Sequence, residues 1–267
     1  MTTGRGTSGI VAFTGDWDTQ VVATSVHAGH DLRPEIAAAM VLDEDVRLRE
    51  EDPHTDVIAA AVGSRALTSR SRFEVDLNRP RDEAVYREPD DCWGLDVWAA
   101  GTLSDDLTAG SLAVYDEFYA RLGEQLDEVA ARGPFVLLDV HSYNHRRDGA
   151  DAEPEPAEDN PVVNVGTGTL DSDRFGRVLG DFMESLSKQH VGGEPLDVRE
   201  NVKFQGRAVS WFVHDRYPGV GCCLALEFKK TFMDEWTAEV DHERLAETVC
   251  ALGATVPVLD QALARLR

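Results

Sequence analysis

The sequence predicts an α/β fold in three layers, α/β/α, with helices on both sides of a mixed, largely parallel sheet. Residues 135–140 are almost entirely apolar and follow a Gly-Pro turn, which is typical of a strand buried inside such a sheet. Residues 221–226 form a second apolar run of the same kind. Periodic segments at 111–132, 174–188 and 237–266 indicate the helices that would cover the sheet.

Length and charge limit the classes of protein to which the chain can belong. Its 267 residues are enough for one large α/β domain or two small ones, and since no repeat or linker interrupts them, we expect one domain over 1–267. The net charge of −23 argues against nucleic acid or an anionic membrane as a partner, because both bind basic surfaces. No apolar run approaches the ~18–20 residues of a membrane-spanning helix.

The N-terminal residues and the cysteines predict a cytoplasmic protein. The first nine residues are small and polar and contain no hydrophobic signal core. Cys222 and Cys223 are adjacent within an apolar run, which is typical of buried small residues rather than of disulfides or a metal knuckle. We therefore expect a reducing compartment.

Near the N-terminus, strands are predicted at 10–13 and 21–26, around a turn at Gly15. The second strand leads directly into His27, and a glycine two residues later lets the chain turn tightly. An imidazole in that place is well positioned to enter a cleft. A helix is predicted at 35–40, because the proline before it suits a first helical turn.

Asp52 has two interpretations. Pro53 fits the first turn of a helix, which makes Asp52 a natural N-cap. Alternatively, Asp52 or its neighbour Glu51 supplies an oxygen ligand to a metal ion held by His27. The sequence pattern leaves both open.

Residues 69–80 are predicted to form a strand, because apolar residues alternate with charged and polar ones. Such a strand would suit a solvated edge of the sheet. Arg72, Asn78 and Arg79 also suit a carboxylate and a polarised carbonyl, since arginine binds carboxylates bidentately and stabilises a developing oxyanion. Residues 81–108 are interpreted as an irregular excursion that could cover a cleft, and 201–213 as a hairpin-like segment.

Both apolar strands carry ionisable residues toward their ends. Asp139 and His141 lie on one face of the first strand, because side chains alternate with period two, and ligands collect at the carboxyl ends of strands in open α/β sheets. A single histidine there would equally suit a strand cap. Glu227 interrupts the second run, where an unpaired carboxylate is costly. It either pairs with Lys229 or Lys230 or works in a site.

The predicted strand ends bring together the components of a hydrolytic metal site. Two histidines, His27 and His141, and one carboxylate with an open fourth position are the usual ligands of a hydrolytic zinc ion. Such an ion lowers the pKa of its water to about 7. A separate glutamate, Glu227, then serves as general base and protonates the leaving amine.

Several motifs resemble those of a known family. They are Ser-Val-His-Ala-Gly at 25–29, Glu-Asp-Pro-His-Thr at 51–55, Asp-Leu-Asn-Arg-Pro at 76–80, Asp-Val-His-Ser at 139–142, and Leu-Glu-Phe with Phe-Met-Asp-Glu at 226–235. In these the chain resembles the N-formylglutamate amidohydrolase (deformylase) family, which is related to aspartoacylase and succinylglutamate desuccinylase. The resemblance implies a zinc-carboxypeptidase-like fold and a zinc-dependent cytoplasmic hydrolase, acting in histidine degradation on a small N-acylated acidic amino acid.

The resemblance also implies metal ligands. His27 and His141 match the metal-binding histidines, and Asp52 matches the acidic position that completes the set. His30 is an alternative second ligand, because it stands where the aspartoacylase pattern places a glutamate. Asp139 is expected to orient the site by contacting a metal ligand on the side away from the metal ion.

For the substrate, Arg72, Asn78 and Arg79 match the group that binds the amino acid and the oxyanion, and Glu227 matches the general base. The chain departs from the family around Arg207, which could take over carboxylate binding. That departure leaves the acyl group and the amino acid open. Two rival classes also remain, another amide hydrolase on the same scaffold and a non-catalytic binding relative. No oligomeric state is predicted.

Overall fold

The computed structural model describes residues 10–266. The nine N-terminal residues, interpreted above as lacking a signal core, lie outside that range. Within it, no helix combines the length and the apolar character that crossing a bilayer requires.

Nine strands and seven α-helices are formed between residues 10 and 266. The strands are β1 (Val11–Thr14), β2 (Val21–Ser25), β3 (Ser64–Thr68), β4 (Phe135–Tyr143), β5 (Val163–Gly166), β6 (His190–Val191), β7 (Glu194–Pro195), β8 (Val198–Glu200) and β9 (Gly221–Lys229). The helices are α1 (Pro34–Ala39), α2 (Glu44–Glu50), α3 (Thr55–Ala59), α4 (Asp105–Ala130), α5 (Ser172–Ser187), α6 (Ala208–Arg216) and α7 (His242–Ala264), with a 3₁₀ turn at Pro89–Asp91.

Seven of these strands form one sheet in the order β1-β3-β2-β4-β9-β5-β8. The neighbours β3, β2, β4 and β9 run parallel, and β8 runs parallel to β5. β1 and β5 pair antiparallel with β3 and β9. The predicted mixed, largely parallel sheet is confirmed. Because the four central strands are parallel, their carboxyl ends share one edge of the sheet.

Helices cover both faces of the sheet, which confirms the three layers. In β4, Val136 and Val140 belong to a core shared with α3, α5 and α7. Leu137 faces the other way and packs with α4 and α6. Because side chains alternate along a strand, Asp139 and His141 share the face of Leu137. The cysteines of β9 are buried and unpaired, as predicted.

The predicted helices are confirmed with shifted bounds. The longest, α4, begins at Asp105 rather than at 111, because Ser104 is its N-cap and two aspartates occupy its first turn. For α5 and α7, the N-cap side chains of Asp171 and Asp241 accept hydrogen bonds from backbone N–H groups three residues later.

Strands β1 and β2 form where they are predicted, but they do not pair with each other. β3 lies between them, antiparallel to β1 and parallel to β2. Gly15, with φ 89°, lies so close to β3 that a Cβ atom there would stand 2.5 Å from the Gly63 carbonyl oxygen. The glycine therefore marks a close approach to a strand more distant in sequence.

The predicted strand at 69–80 is wrong, because the chain forms consecutive turns there. The backbone N–H groups of Glu74 and Val75 both donate to the Ser71 carbonyl oxygen, so the backbone turns here instead of extending. The alternating apolar side chains are all buried, but Phe73 enters a different cluster from Val75. The alternation thus reflects two separate cores rather than the two faces of a strand.

The predicted hairpin at 201–213 is also wrong, because a loop leads into helix α6. Val209 and Val213, one helical turn apart, pack against the sheet together with Tyr217. Gly206 (φ 84°) lets the loop pass close to β9, where a Cβ atom would meet the side chains of Ser210 and Ala225.

The irregular excursion after residue 80 is confirmed as far as residue 104, where α4 takes over. Its buried side chains, which include Tyr86 and Trp98, pack in a small apolar cluster. Trp93, with φ 55°, remains 48% exposed. Its ring lies 4.9 Å from the guanidinium carbon of Arg72.

Candidate functional site

The parallel strands deliver three ionisable side chains to one edge of the sheet. His27 follows β2 by two residues, His141 lies near the end of β4, and Glu227 lies near the end of β9. His141 and Glu227 are directly opposite each other in the β4–β9 register, so they share one face. The structure therefore brings together residues that are separated by up to 200 positions in the sequence.

His27, Asp52 and His141 form a compact group of potential metal ligands. The Nδ1 atoms of the two histidines lie 3.2 Å apart, and Asp52 Oδ2 lies 3.3 Å from His27 Nδ1 and 3.0 Å from His141 Nδ1. Four tetrahedral ligands at ~2.0–2.1 Å from zinc are separated by about 3.3 Å. All three residues are at most 3% exposed. The group therefore fits a small divalent ion.

Each histidine is backed by a second carboxylate on its other ring nitrogen. His27 Nε2 lies 2.7 Å from Asp76 Oδ1, and His141 Nε2 lies 3.0 Å from Asp139 Oδ2. Thr24 donates a hydrogen bond of 2.7 Å to the other oxygen of Asp139. The His27 contact is a hydrogen bond, as in carboxylate–histidine–metal triads, whereas Asp139 Oδ2 accepts no hydrogen bond within residues 10–266 and faces His141 only at ion-pair distance. Both carboxylates leave the Nδ1 atoms facing the same point.

The role of Asp76 was missed from the sequence, although it opens the Asp-Leu-Asn-Arg motif. It also accepts hydrogen bonds from the Arg72 guanidinium (2.9 Å) and the Tyr86 hydroxyl (2.6 Å). Burial opposes its ionisation, but Arg72 and His27 hold its pKa well below the ordinary value. Asp76 stands between two apolar residues, Val75 and Leu77, and a charged residue in such a place is the signal that could have identified it.

The electrostatics of the metal-free group favour an ionised Asp52. Burial alone would raise the pKa of this carboxyl, but hydrogen bonds from His141 and His27 hold it far below its ordinary value. Burial would likewise lower the pKa of His141, yet the carboxylates Asp139 and Asp52 raise it well above the ordinary value. The buried imidazoles and the buried carboxylates thus stabilise one another.

Asp52 is not a helix N-cap, because α3 begins at Thr55 and its N-cap is His54. The alternative ligands, Glu51 and His30, contact each other instead. Glu51 is fully buried and accepts hydrogen bonds from Ser71 and from His30, the latter at 2.5 Å. Neither His30 nor Glu51 contributes to the ligand group found within residues 10–266.

Glu227 stands beside this group and forms no ion pair within residues 10–266. Burial raises its pKa to about 8. Across the described part of the chain, neither Lys229 nor Lys230 comes within ion-pair distance of it. The Lys230 ammonium instead donates to the carbonyl oxygens of Arg49 (2.6 Å) and Glu51 (2.7 Å). The alternative in which Glu227 forms a buried pair with a lysine is therefore wrong.

The three residues matched to substrate binding differ in the donors that they leave free. Arg72 is engaged by Asp76 and by the Tyr86 hydroxyl. The Asn78 side-chain oxygen accepts a backbone hydrogen bond, and its Nδ2 lies 3.2 Å from His141 Nε2. Arg79 donates a hydrogen bond of 2.5 Å to the Asp91 carbonyl oxygen. Its buried Nε has no hydrogen-bond acceptor in the described chain but lies 3.6 Å from Asp76 Oδ2, at ion-pair distance. Of the three, Arg79 retains the most unused donor capacity.

A cavity of about 650 Å³ opens over the ligand group. Its lining comes from the segments 72–79, 90–93, 141–147 and 203–211, together with Glu227 and Lys230. Arg207 is exposed in this lining, and no side-chain hydrogen bond or ion pair engages it within residues 10–266. Two of the few exposed large apolar side chains, Trp93 and Trp211, also line it.

Comparison with known proteins gives a family and a fold. A model of the family described as N-formylglutamate amidohydrolase matches residues 19–233. The crystal structure of N-formylglutamate amidohydrolase from Ralstonia eutropha is 17% identical, over 96% of this chain and 98% of that one, with a TM-score of 0.74. That of a gene product from Agrobacterium tumefaciens is 16% identical, over 96% and 95%, with a TM-score of 0.66. No curated protein sequence matches the chain.

Proposed function

The chain belongs to the N-formylglutamate amidohydrolase family, and from this membership and the site geometry we propose that it hydrolyses the amide bond of an N-formylated acidic amino acid such as N-formyl-L-glutamate. The proposed reaction depends on a metal ion, for which zinc is our choice. His27, Asp52 and His141 are the proposed ligands, Glu227 is the proposed general base, and the substrate is a small molecule.

The observation that carries the proposal is the triangle of ligand atoms with sides of 3.0–3.3 Å. Two neutral imidazoles and one carboxylate, with a fourth position open to the cavity, are typical of hydrolytic zinc sites. A zinc ion bound there supplies Lewis-acid polarisation of the amide carbonyl and activation of water.

The arginines of the cavity suit a substrate with two carboxylates. Arg79 lines the cavity beside the ligand group, and Arg207 is exposed in its lining at the start of α6. Arginine binds a carboxylate through two parallel N–H donors, so each can hold one end of an acidic amino acid. Arg72, fixed by Asp76, adds positive charge where the carbonyl oxygen becomes negative during attack.

Glu227 is the residue to which we assign proton transfer. It lies opposite His141 in the neighbouring strand and lines the cavity, which supports a role in taking a proton from the attacking water. As a carboxylate it accepts the proton of that water, and as a carboxylic acid it returns the proton to the leaving nitrogen. Its raised pKa, about 8, brings both forms close in energy near neutral pH.

A second candidate is an amidohydrolase for a bulkier N-acyl amino acid, and the cavity favours it. Its volume of about 650 Å³ exceeds what N-formylglutamate fills, since cavities of ~300–1,000 Å³ bury drug-sized ligands. Trp93 and Trp211 expose apolar rings in its lining. An aromatic or longer group on the acyl or amino-acid side would contact them.

A substrate panel tests the two candidates together. We would measure kcat/KM of the zinc-loaded protein for N-formyl, N-acetyl and N-succinyl glutamate and for N-formyl phenylalanine. The proposal predicts the highest kcat/KM for N-formyl-L-glutamate, whereas the second candidate predicts it for one of the larger substrates. No hydrolysis of any compound by protein with a full complement of metal would contradict both and indicate a binding protein.

A further inference from the structure

A buried lysine stands immediately after strand β9. Lys230 is 1% exposed, and an ammonium group that is removed from water must be compensated by hydrogen bonds or opposite charge. No carboxylate of the described chain lies within ion-pair distance of it. Its Nζ atom donates instead to two backbone carbonyl oxygens, those of Arg49 at 2.6 Å and Glu51 at 2.7 Å.

These carbonyls belong to the C-terminal end of helix α2. The last carbonyls of a helix have no partner within the helix, and a positive charge beside them is favourable. Two other side chains act at the same place. Asn144 Nδ2 donates to the Arg49 oxygen (3.0 Å), and Arg72 Nη1 lies 3.4 Å from the Glu50 oxygen. Three successive carbonyls, at 49, 50 and 51, are thus held by side chains from three other segments.

The residue that follows them is Asp52. Its backbone N–H donates to the carbonyl oxygen of His27 at 3.0 Å, and its side chain completes the triangle with His27 and His141. The main chain before Asp52 is therefore held by Lys230, and the main chain at Asp52 is held by His27. These two attachments hold the backbone on either side of the Asp52 carboxylate.

Lys230 is itself attached to the strands that carry the other site residues. Its backbone N–H donates to the Tyr143 carbonyl oxygen (3.0 Å), two residues beyond His141, and Glu227 precedes it by three residues in β9. One residue therefore joins the end of α2, through its side chain, to the ends of β4 and β9, through its backbone.

We propose that Lys230 is a positioning residue of the metal site, which holds the end of α2 so that the carboxylate of Asp52 lies within bonding distance of the metal ion. The inference rests on the proposed metal-dependent function. Ligands of a working site are held to within about 0.5 Å, and loss of a partner behind a ligand typically weakens metal binding by about 10–100-fold. The same loss is expected when Lys230 is replaced.

The test compares zinc dissociation constants, measured on the full chain by competition with a chromophoric chelator. Lys230→Met keeps the length of the side chain and removes its donors. Lys229→Met is the matched control, because within residues 10–266 the Lys229 side chain donates no hydrogen bond to the carbonyls at 49–51. We expect zinc affinity about 10–100-fold weaker for Lys230→Met, and within about twofold of the wild-type value for Lys229→Met.

A double variant separates positioning from a general loss of stability. In an Asp52→Ala background there is no carboxylate to position, so adding Lys230→Met should leave the remaining zinc affinity unchanged. An equal loss in both backgrounds would overturn the inference, as would unchanged affinity in the single variant. If Lys230→Met loses cooperative unfolding, Lys230→Gln takes its place. Because glutamine keeps an N–H donor on a shorter side chain, a smaller loss of zinc affinity is then expected in the wild-type background and again none in the Asp52→Ala background. Wild-type protein that binds no zinc would contradict the proposed function as well.

Discussion

Replacing Glu227 by glutamine gives opposite results for a catalytic carboxylate and for a structural one. The substitution keeps the shape of the side chain and removes the proton acceptor. General-base catalysis is typically worth about 10²–10⁴-fold, so kcat for N-formyl-L-glutamate should fall by that factor while zinc remains bound. Zinc should remain because the proposed ligands, His27, Asp52 and His141, are untouched.

The effect on stability follows from the pKa of Glu227. Burial raises that pKa from its ordinary value of 4.5 to about 8 in the folded, metal-free chain. Between these pH values the unfolded chain loses the proton and the folded chain keeps it, so the free energy of unfolding falls as pH rises. At about 1.4 kcal/mol per pKa unit, this carboxyl destabilises the metal-free protein by up to about 3 kcal/mol at pH 7.

Glutamine does not ionise, so the metal-free Glu227→Gln protein should be more stable than the wild type above pH 5. The difference in the free energy of unfolding should grow as pH rises from 5 to 8 and then level off. Urea unfolding at several pH values, with chelator present, measures it. Glu184→Gln is the control, because Glu184 lies on the surface and Lys188 holds its pKa below the ordinary value, so this replacement should give no gain in stability as pH rises.

The combination of results decides the role of Glu227. A fall in kcat with zinc retained and with stability gained supports the proposed base. Unchanged kcat together with a loss of stability would mean that the carboxylate is structural, and the proposed mechanism would then lack its base.

Further substitutions test the remaining parts of the site. His141→Ala should abolish both zinc binding and turnover, measured by metal analysis and substrate hydrolysis, whereas His30→Ala should leave zinc bound; the reverse pattern would mean that the wrong histidine is assigned as a ligand. Asp76→Asn should weaken zinc binding by about 10–100-fold, because it removes the carboxylate that holds an imidazole in place; unchanged affinity would contradict that role. Arg207→Ala should raise KM about 10–100-fold with a smaller effect on kcat, since a hydrogen bond to a charged group is worth ~1.5–3 kcal/mol, whereas Arg81→Ala, on the surface outside the cavity, should leave KM unchanged.

The sequence predicts those parts of the site that are carried by regular strands. His27 and His141 follow runs whose apolar side chains need both faces of a sheet to be covered, so their place at the strand ends follows from the pattern. Glu227 is identified for the same reason, as an acid in a run that is otherwise apolar. Parallel pairing of β2, β4 and β9 then brings the three to one edge.

The segment at 69–80 could not be predicted from its pattern. Alternation of apolar and charged residues normally indicates a strand with one wet face, but here Glu74 and Asp76 are as buried as Phe73. The Nε atom of Arg33 lies 2.7 Å from a carboxylate oxygen of Glu74 and compensates its negative charge. Arg33 is distant from Glu74 in the sequence. Which charges are compensated is decided by tertiary contacts, and these have no local sequence pattern.

The same limit explains why Lys230 was considered only as a partner of Glu227. A lysine three residues after a glutamate suggests an ion pair by sequence proximity. Its actual partners are carbonyl oxygens at the end of α2, about 180 residues away. Backbone acceptors carry no residue identity, so the sequence cannot indicate them.

Zinc-edge anomalous diffraction from crystals of the zinc-loaded protein tests the central claim most directly. The account predicts a strong peak at ~2.0–2.2 Å from His27 Nδ1, His141 Nδ1 and an oxygen of Asp52. A peak at other residues, or no peak between these three in crystals that contain stoichiometric zinc, would contradict it.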